Sequence, residues 1–508
     1  MLRHFNSPHA GAAAALVVVC VVWMVGCARR AEPPPSERTL RIGVALPREA
    51  PGRSGITGLV GLLTTESLLA TTSDGRQSPR LATDWQWDET RTQLKVQLRP
   101  DVFFHDGTPL TGPIAAAALK RSLADNPAPS FSSVRDVTAT GEHEIVIHLS
   151  RPDAFLTSDL PSASLLKPQT RDVGTGPFKV VSHQPSIELE AFAKYYRGQP
   201  SIDGIQILGL PSLRNAWASL MRGEIDMLHD LSREAVDFVQ AETTVHTYFF
   251  PRAYYVELVF NVRHPVLQRP DVRRAITEAI NKEAAVRDGM RSHGSPAESS
   301  IWPGHWASIS TAHGPTFNPE SARTRLDAAG FPVRRAEPGA MPKRFSFTCL
   351  LFKDDTRFNR LALVIQKQLF DIGIDMKLEP ESIKTLGPRL ARGDFDAFLF
   401  EFASGRSLSW TYLAWHSHGN GYFDSGYRAA DAVLDRLRYS PSDEETRAAT
   451  AELLEVFKKD PPAVFIAWQE QARAVSARFD IPQEPGRDIL GSVWEWRVKS
   501  AAALQAQK

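Results

Sequence analysis

The sequence predicts a mixed α/β protein with two lobes of similar plan. A helix, a Gly, an acidic residue and a strand follow one another twice, around Gly223 and around Gly393. This order is typical of a helix that ends at a Gly and leads into a strand. Even without its first 26 residues, the chain of 508 residues exceeds what one hydrophobic core organises. We therefore expect two or three domains.

The individual elements follow from hydrophobic periodicity and from turn residues. The first strand is expected at residues 39–46, and an apolar helix at 59–69. Pro113 suits the first turn of an Ala-rich helix at 114–123. Further strands are expected at 94–98, 144–149, 178–181, 187–192, 205–208, 256–261, 345–352, 374–378 and 463–468, and further helices at 213–222, 271–279, 358–370, 386–392, 429–437 and 444–458.

The N-terminal segment has the features of an export signal. An uncharged apolar run covers residues 11–25, which is too short to span a membrane but suits a signal core. It ends in Gly26-Cys27, which resembles a bacterial lipobox and implies cleavage before Cys27 and its acylation. Ordinary secretion with an incidental Cys is the alternative. The Pro-rich and charged residues 27–38 are expected to form a tether.

Composition excludes several classes of function. Removing residues 1–26 takes one basic residue, Arg3, from the 59 and none of the 58 acidic residues, so the remaining chain is formally neutral. Neutrality argues against nucleic-acid binding, which needs concentrated positive charge. The three Cys residues offer neither a disulfide framework nor a Cys metal cluster. Metalloprotease, nucleophile-elbow and P-loop motifs are missing, so we expect no enzyme and no cofactor.

Seven ordered motifs together resemble the family-5 extracellular solute-binding proteins, which bind oligopeptides, dipeptides or nickel for ABC importers. Each motif alone is weak, but their order and their spread over residues 39–480 make the resemblance specific. The motifs are LATDW at 81–85, LRPDVFFHDGTPL at 98–110, GTGPF at 174–178, MRGEID at 221–226, VFN at 259–261, DVRRAI at 271–276 and LFDIGI at 369–374.

The resemblance implies a two-lobed periplasmic-binding-protein-like fold of type II, with an extra domain inserted in lobe 1. On this basis lobe 1 comprises residues 39–62, 172–260 and 482–500, the inserted domain 63–171, and lobe 2 261–481. The chain should cross between the lobes near 258–265 and 470–485. The two helix–Gly–acid–strand units should then lie in different lobes and in separate sheets.

The resemblance also implies a function and a set of partners. A peptide or another small organic solute would bind between the lobes, and hinge closure would present it to the permease subunits of an ABC importer. The protein would be a monomer on the extracytoplasmic side, held to the membrane by its lipid. A sensing or chaperone-like binding protein without a transporter is the alternative, and a binder of metal complexes is a further one.

Ligand contacts are expected among aromatic and polar residues of the segments that line the cleft in relatives. The ordinary alternative is that each aromatic residue packs in the core, and Thr65, Tyr254 and Tyr412 are further candidates. The site residues predicted are Glu66, Tyr255, Asn261, Trp302, Arg406, Trp410 and Trp468.

One departure from peptide-binding relatives concerns the charge of this site. Those relatives have an acidic residue after the strand that corresponds to residues 398–402, and it pairs with the ligand amine. Here no acidic residue occurs between Glu401 and Asp424, and Arg406 stands in the loop. A guanidinium favours a carboxylate, a phosphate or polyol oxygens. We expect no metal site, because His416 and His418 lie on a Gly- and Asn-rich loop, where His side chains are usually exposed to solvent.

Overall fold

The structure is a computed structural model that describes residues 37–46, 54–124, 126–231, 235–236, 239, 242–308, 316–334, 342–353, 355–419 and 422–499. The expected signal segment, Cys27 and nearly all of the expected tether lie outside these residues. Within the described part of the chain, no helix is long and apolar enough to cross a membrane.

Two long antiparallel strands, Val245–Phe260 and Ala463–Ser476, form the centre of an eleven-stranded sheet. Their β-branched and aromatic residues suit a strand that is covered on both faces. Gly294–Pro296 pairs with the second long strand at one side. The sheet order is Phe178–Ser182, Ile187–Ala191, Gly204–Leu210, Thr39–Ala45, Met227–Leu228, Ala463–Ser476, Val245–Phe260, Ala397–Ala403, Phe345–Phe352 and Ile374–Glu381.

The long strands connect two separate hydrophobic cores. Their pairing shifts register between Arg252 and Tyr255, so an irregularity interrupts the ladder there. On one side of it, Val245 packs with Ala472 and Ala474. On the other side, Leu258 packs in a different core. The cores therefore change near 252–255, a few residues before the first expected crossing, and near 468–472, which overlaps the start of the second. The domain boundaries given above stay a prediction.

The two helix–Gly–acid–strand units do not lie in separate sheets, which corrects that expectation. Their strands, Met227–Leu228 and Ala397–Ala403, both belong to the eleven-stranded sheet. The two long strands lie between them and are hydrogen-bonded to each other and to these strands. Their helices nevertheless pack on different cores: Leu220 lies in one and Leu390 in the other. Gly223 and Gly393 both have positive φ, as a helix-ending Gly requires.

Helices cover the sheet at both ends. Ser54–Thr64, Leu213–Met221 and the 3₁₀ helix Ile489–Glu495 accompany the strands of lobe 1. The short strands Phe479–Asp480 and Arg497–Val498 pair beside them. The helices along lobe 2 are Pro270–Ala279, Lys282–Ala284, the π-helix Ala285–Gly289, Pro319–Ala328, Thr356–Phe370, Ile383–Arg392, Leu408–Trp415, Asp431–Arg438 and Asp443–Lys459.

A further core holds buried residues from Leu68 to Leu165, within the expected inserted domain. Its antiparallel sheet has the order Ala82–Trp87, Gln93–Leu98, Glu144–Leu149 and Val134–Gly141. The helix Gly112–Ala124 packs on this sheet with its Ala and Leu face. The smaller elements are Glu66–Ser67 paired with Ser164–Leu165, Leu69–Thr71 paired with Gln77–Pro79, Pro129–Ser133, Leu156–Asp159 and Leu160–Ser162.

The helix expected at 59–69 instead ends at Thr64, and the chain continues in short strands from Glu66. The Thr64 hydroxyl donates to Val60 O at 2.8 Å, and the Thr65 hydroxyl donates to Gly61 O at 2.8 Å. Such bonds compete with continued helix. Gly176 N also donates to Thr64 O at 3.0 Å, and a Cβ at Gly176 would lie 2.6 Å from Thr64 C. The close approach of these two segments therefore ends the helix.

Candidate functional site

Charged side chains meet where the two long strands cross between the cores. Arg252 pairs with Gln469 in the ladder, and its Nη1 lies 3.2 Å from Glu401 Oε1 on the neighbouring strand. Gln469 donates to the other oxygen of Glu401. The Arg252 guanidinium also stacks over the Tyr254 ring, 3.7 Å from its centroid. The strand register thus places one acid, one base and one amide side by side.

Two more residues extend this network. Arg357 Nη1 lies 3.9 Å from Glu401 Oε2, and Arg357 Nε donates to Asp355 Oδ1 at 2.9 Å. Although burial opposes a charge on Arg357, the carboxylates of Asp355 and Glu401 raise its pKa. Two guanidiniums and an amide therefore contact the Glu401 carboxylate, and a cationic ligand would compete with them for its oxygens.

Asp230 faces this network from the lobe 1 side. It accepts a hydrogen bond from Gln471 on the second long strand, and its side chain is 53% exposed. Burial alone would raise the pKa of Asp230, but the hydrogen bond with His229 and the nearby charges of Arg473 and Arg252 lower it to about 2. Asp230 is therefore ionised throughout the neutral range.

A cavity of about 530 Å³ lies beside the network in lobe 2. Its walls come from the helix Ile383–Arg392, the strand Ala397–Ala403 and the helix Leu408–Trp415. Glu401 is the one acidic residue among its lining residues, and Tyr422 at its edge is 62% exposed. The lining residues are Tyr254, Ile383, Leu386, Gly387, Leu390, Ala391, Phe400, Glu401, Phe402, Ala403, Trp410, Leu413, Ala414, Tyr422 and Phe423. Mostly apolar walls with few polar groups are usual for a small-ligand pocket.

The loop after the strand Ala397–Ala403 turns at Gly405 and Arg406, both of which have a φ of 57°. A left-handed conformation is uncommon for a residue with a Cβ, so the Arg406 position is held by its surroundings. A Cβ at Gly405 would lie 2.4 Å from Trp410 Nε1, so Gly allows the Trp410 ring to pack on the turn. The turn therefore joins the cavity wall, through Trp410, to Arg406.

Arg406 contacts two segments that are distant from it in sequence. Its guanidinium lies 4.6 Å from the centroid of the Trp302 ring, and its Nη2 donates to Gly486 O at 2.8 Å. Burial, and then the nearby charge of Arg487, lowers the pKa of Arg406. Within the described ranges, no carboxylate lies within ion-pair distance of Arg406. Arg406 is therefore a half-buried cation without an acidic partner in that part of the chain.

The predicted aromatic residues divide into two groups. Tyr255, Trp302 and Trp468 pack together, with ring centroids 5.3 Å and 5.2 Å apart, and are 1%, 7% and 3% exposed. They belong to the core behind the site, and Trp302 Nε1 donates to Ser73 O at 3.0 Å. Tyr254 and Trp410, in contrast, line the cavity. The structure therefore places Trp410 on the cavity wall, Arg406 on the adjoining turn outside the lining residues, and the first group in the core.

Glu66 and Asn261 lie elsewhere and have structural partners. Glu66 is buried and accepts hydrogen bonds from the side chains of Arg80, Tyr195, Tyr196 and Thr175, at 3.1–3.2 Å. The Asn261 amide donates to Gly393 O and Phe395 O at 3.0 and 2.8 Å. Neither side chain lines the cavity of about 530 Å³. Their hydrogen bonds explain why these two residue types stand at these positions without a ligand.

Metal-binding residues do not gather at this site. The His416 ring stacks on Tyr412 with centroids 4.5 Å apart, and the His418 ring lies 5.5 Å away. His416 is buried, which differs from the exposed loop position expected for it. In the ranges that the structure covers, no group of three or more His, Cys, Asp or Glu residues could hold a metal ion.

Sequence reasoning missed most of the charged network. Arg252 and Glu401 are 149 residues apart, and no local pattern joins them. The one available signal was an Arg between aromatic residues on a strand that was expected to begin only at Val256. A longer strand assignment would have placed Arg252 beside the crossing.

Comparison with known proteins agrees with this architecture. Residues 76–424, more than half of the chain, match the model of the bacterial extracellular solute-binding proteins, family 5. The chain is 24% identical over 452 residues to the oligopeptide-binding protein AppA of Bacillus subtilis, covering 80% of each chain. It is 24% identical over 337 residues to the probable D,D-dipeptide-binding periplasmic protein DdpA of Escherichia coli, covering 62% of this chain and 63% of that one.

A solved structure shows the same fold over nearly the whole length. The ABC transporter substrate-binding protein CtaP of Listeria monocytogenes superposes with a TM-score of 0.78 at 17% identity, over 91% of this chain and 99% of that one. This likeness confirms the predicted two-lobed α/β fold. The family motifs in the sequence, the matched family model and the shared fold agree, and the chain belongs to the bacterial extracellular solute-binding proteins of family 5.

Proposed function

We propose that this chain binds a small organic solute between its two lobes and delivers it unchanged to the permease subunits of an ABC importer. The observation that carries the proposal is the position of the site, where two long strands connect the cores and a cavity opens beside them. Relatives named for oligopeptide and D,D-dipeptide binding support a peptide or peptide-like solute. The catalytic motifs missing from the sequence support binding without turnover.

The solute is proposed to be neutral or anionic, with an apolar part. Its apolar part would occupy the cavity and contact Trp410 and Tyr254. Its acceptor oxygens would meet Arg406, for which the described residues supply no carboxylate. A free amine would find only Glu401 on the cavity wall, where it would compete with Arg252, at 3.2 Å, and Arg357, at 3.9 Å. Leaving an amine unpaired in such a site is unfavourable.

Calorimetry with matched peptides tests this polarity. N-acetylated peptides that carry an aromatic side chain should bind more tightly than the same sequences with a free amine. Arg406→Ala should weaken the binding of the acetylated forms by roughly 1.5–3 kcal/mol, the range for a hydrogen bond to a charged group.

Arg447→Ala is the matched control, because Arg447 also stacks on a Trp, 5.4 Å from the Trp306 centroid, and does not line the cavity. Its affinity should equal that of the wild type. Tight binding of free-amine peptides that survives Arg406→Ala would refute the proposed polarity while leaving solute binding itself intact.

The membrane anchor is proposed to be a lipid on Cys27. The apolar run that ends at Gly26-Cys27 supports it, and the acyl chains of a lipoprotein would meet the need for more than one anchor. Cys27→Ser should move the protein from the membrane fraction to the soluble fraction of cells. Cys349→Ser is the control, because that thiol is buried in the folded chain. Equal fractionation of Cys27→Ser and wild type would contradict lipidation.

A further inference from the structure

A second cavity, of about 410 Å³, shares no lining residue with the first and is lined by four arginines, Arg80, Arg99, Arg197 and Arg487. They come from four separate segments of the chain. No acidic residue is among the lining residues in the described ranges. Ser67, Thr71, Ser78, Tyr195 and Tyr196 are also among the lining residues. The charged lining residues are therefore all cations, in a chain whose overall charge is close to zero.

Aromatic rings hold two of these guanidiniums. Arg99 lies 5.1 Å from the centroid of the Tyr196 ring, and Arg197 lies 4.9 Å from that of Trp494. A guanidinium that stacks by its face keeps its N–H edges available for a planar or tetrahedral anion. Arg99 Nε donates a hydrogen bond to Arg80 O at 2.6 Å. Both groups are thus positioned without a carboxylate.

The nearby carboxylates do not neutralise the cavity. Glu66 lies beneath the cavity with 0% of its side chain exposed. Of the four arginines, the described structure pairs Glu66 with Arg80, at 3.1 Å. Glu484 pairs with Arg487 at 2.7 Å, but both side chains are largely exposed and such a pair is weak. Within the described chain, Arg99 and Arg197 have no ion-pair partner. Like charges in one cavity repel, and an anion would relieve that repulsion.

We propose that this cavity binds a phosphoryl group, either of free phosphate or of a phospholipid headgroup. A carboxylate presents two oxygens in one plane and satisfies one or two guanidiniums. A phosphoryl group presents three or more oxygens in different directions, which suits guanidiniums that arrive from several segments. Arg80 and Arg99 are half-buried at the floor, and Arg197 and Arg487 are exposed at the rim. This arrangement lets a charged group enter while its substituent stays outside.

Titration calorimetry of the full chain with sodium phosphate, with sodium chloride at equal ionic strength as the blank, tests the site. Wild type should show saturable binding. Arg197→Gln and Arg99→Gln should each weaken it at least tenfold. Arg197 is exposed, so its variant keeps the test valid if Arg99→Gln folds poorly. Arg214→Gln removes an exposed arginine of lobe 1 outside the cavity and should bind like wild type.

Sedimentation with vesicles distinguishes the two sources. Vesicles of phosphatidylglycerol and phosphatidylcholine should retain wild type, and lose it in Arg197→Gln, if a lipid headgroup is the ligand. Saturable phosphate binding without vesicle retention would assign the site to free phosphate. The proposal is overturned if neither probe binds, or if Arg197→Gln and Arg214→Gln bind both probes equally well. None of these outcomes depends on the solute that occupies the first cavity.

Discussion

The Arg438→Ala variant is expected to weaken the packing of residues 153–159 against the helix Asp431–Arg438 by about 3–5 kcal/mol. Arg438 Nε donates to Asp153 Oδ2 at 2.9 Å, and the two side chains are 7% and 0% exposed. Removing the guanidinium leaves the Asp153 carboxylate buried without its charge partner. If the two surfaces separate, water rehydrates Asp153, so the cost applies to the packed arrangement alone.

Hydrogen exchange at the amide of Ala154 measures this effect directly, because that amide donates to Arg438 O at 2.7 Å. A loss of about 3 kcal/mol corresponds to exchange that is roughly 100-fold faster. Arg436→Ala is the control in the same helix: its pair with Glu452 is exposed and worth less than about 1 kcal/mol. Exchange in Arg438→Ala that is as slow as in Arg436→Ala would show that the ion pair does not hold this interface.

The Glu257→Gln variant is expected to unfold less readily than wild type at neutral pH. Glu257 is 0% exposed, and neither of its carboxyl oxygens has a hydrogen-bond partner within the described residues. Burial raises the pKa of Glu257 well above its ordinary value of 4.5. The folded state therefore holds a proton that the unfolded chain releases near pH 4.5. The stability contributed by the protonated form is complete below pH 4.5 and is lost as pH rises toward the folded pKa.

Urea unfolding followed by tryptophan fluorescence, repeated from pH 4 to pH 8, checks this expectation. Relative to Glu257→Gln, wild type should lose about 1.4 kcal/mol of unfolding free energy per pH unit above pH 4.5, until the folded pKa is reached. Glu283→Gln, an exposed position in the same lobe, should give a profile parallel to wild type. Parallel profiles for Glu257→Gln and wild type would mean that Glu257 is ionised or hydrated in the folded chain.

Local patterns were sufficient for much of the fold. The strand expected at 345–352 is Phe345–Phe352, and the helix expected at 386–392 is the last part of Ile383–Arg392, ended by Gly393 as predicted. The predicted ends of elements were wrong where contacts between distant segments determine them. The first helix stops at Thr64 because another segment packs against its end, and the long strand extends from Phe260 back to Val245 because it crosses between two cores.

The site was harder to predict than the fold, because its members meet only in three dimensions. Arg406 and Trp410 could be proposed from one loop that differs in charge from its relatives. From the sequence, a structural role of Glu66 could not be distinguished from a ligand-binding role, because its partners Arg80 and Tyr195 approach from other segments. Trp302 and Trp468 were proposed for the cleft because large aromatic residues serve equally in cores and in pockets.

Native mass spectrometry of wild type and Arg406→Ala, purified identically from the native host, tests solute binding most directly. Wild type should retain a non-covalent small molecule that is neutral or acidic, has an apolar part, and keeps the same mass after incubation with the protein. Arg406→Ala should retain much less of it. A free-amine peptide retained equally by both proteins, or conversion of the bound molecule into products, would contradict the proposed role as a carrier of neutral or anionic solutes.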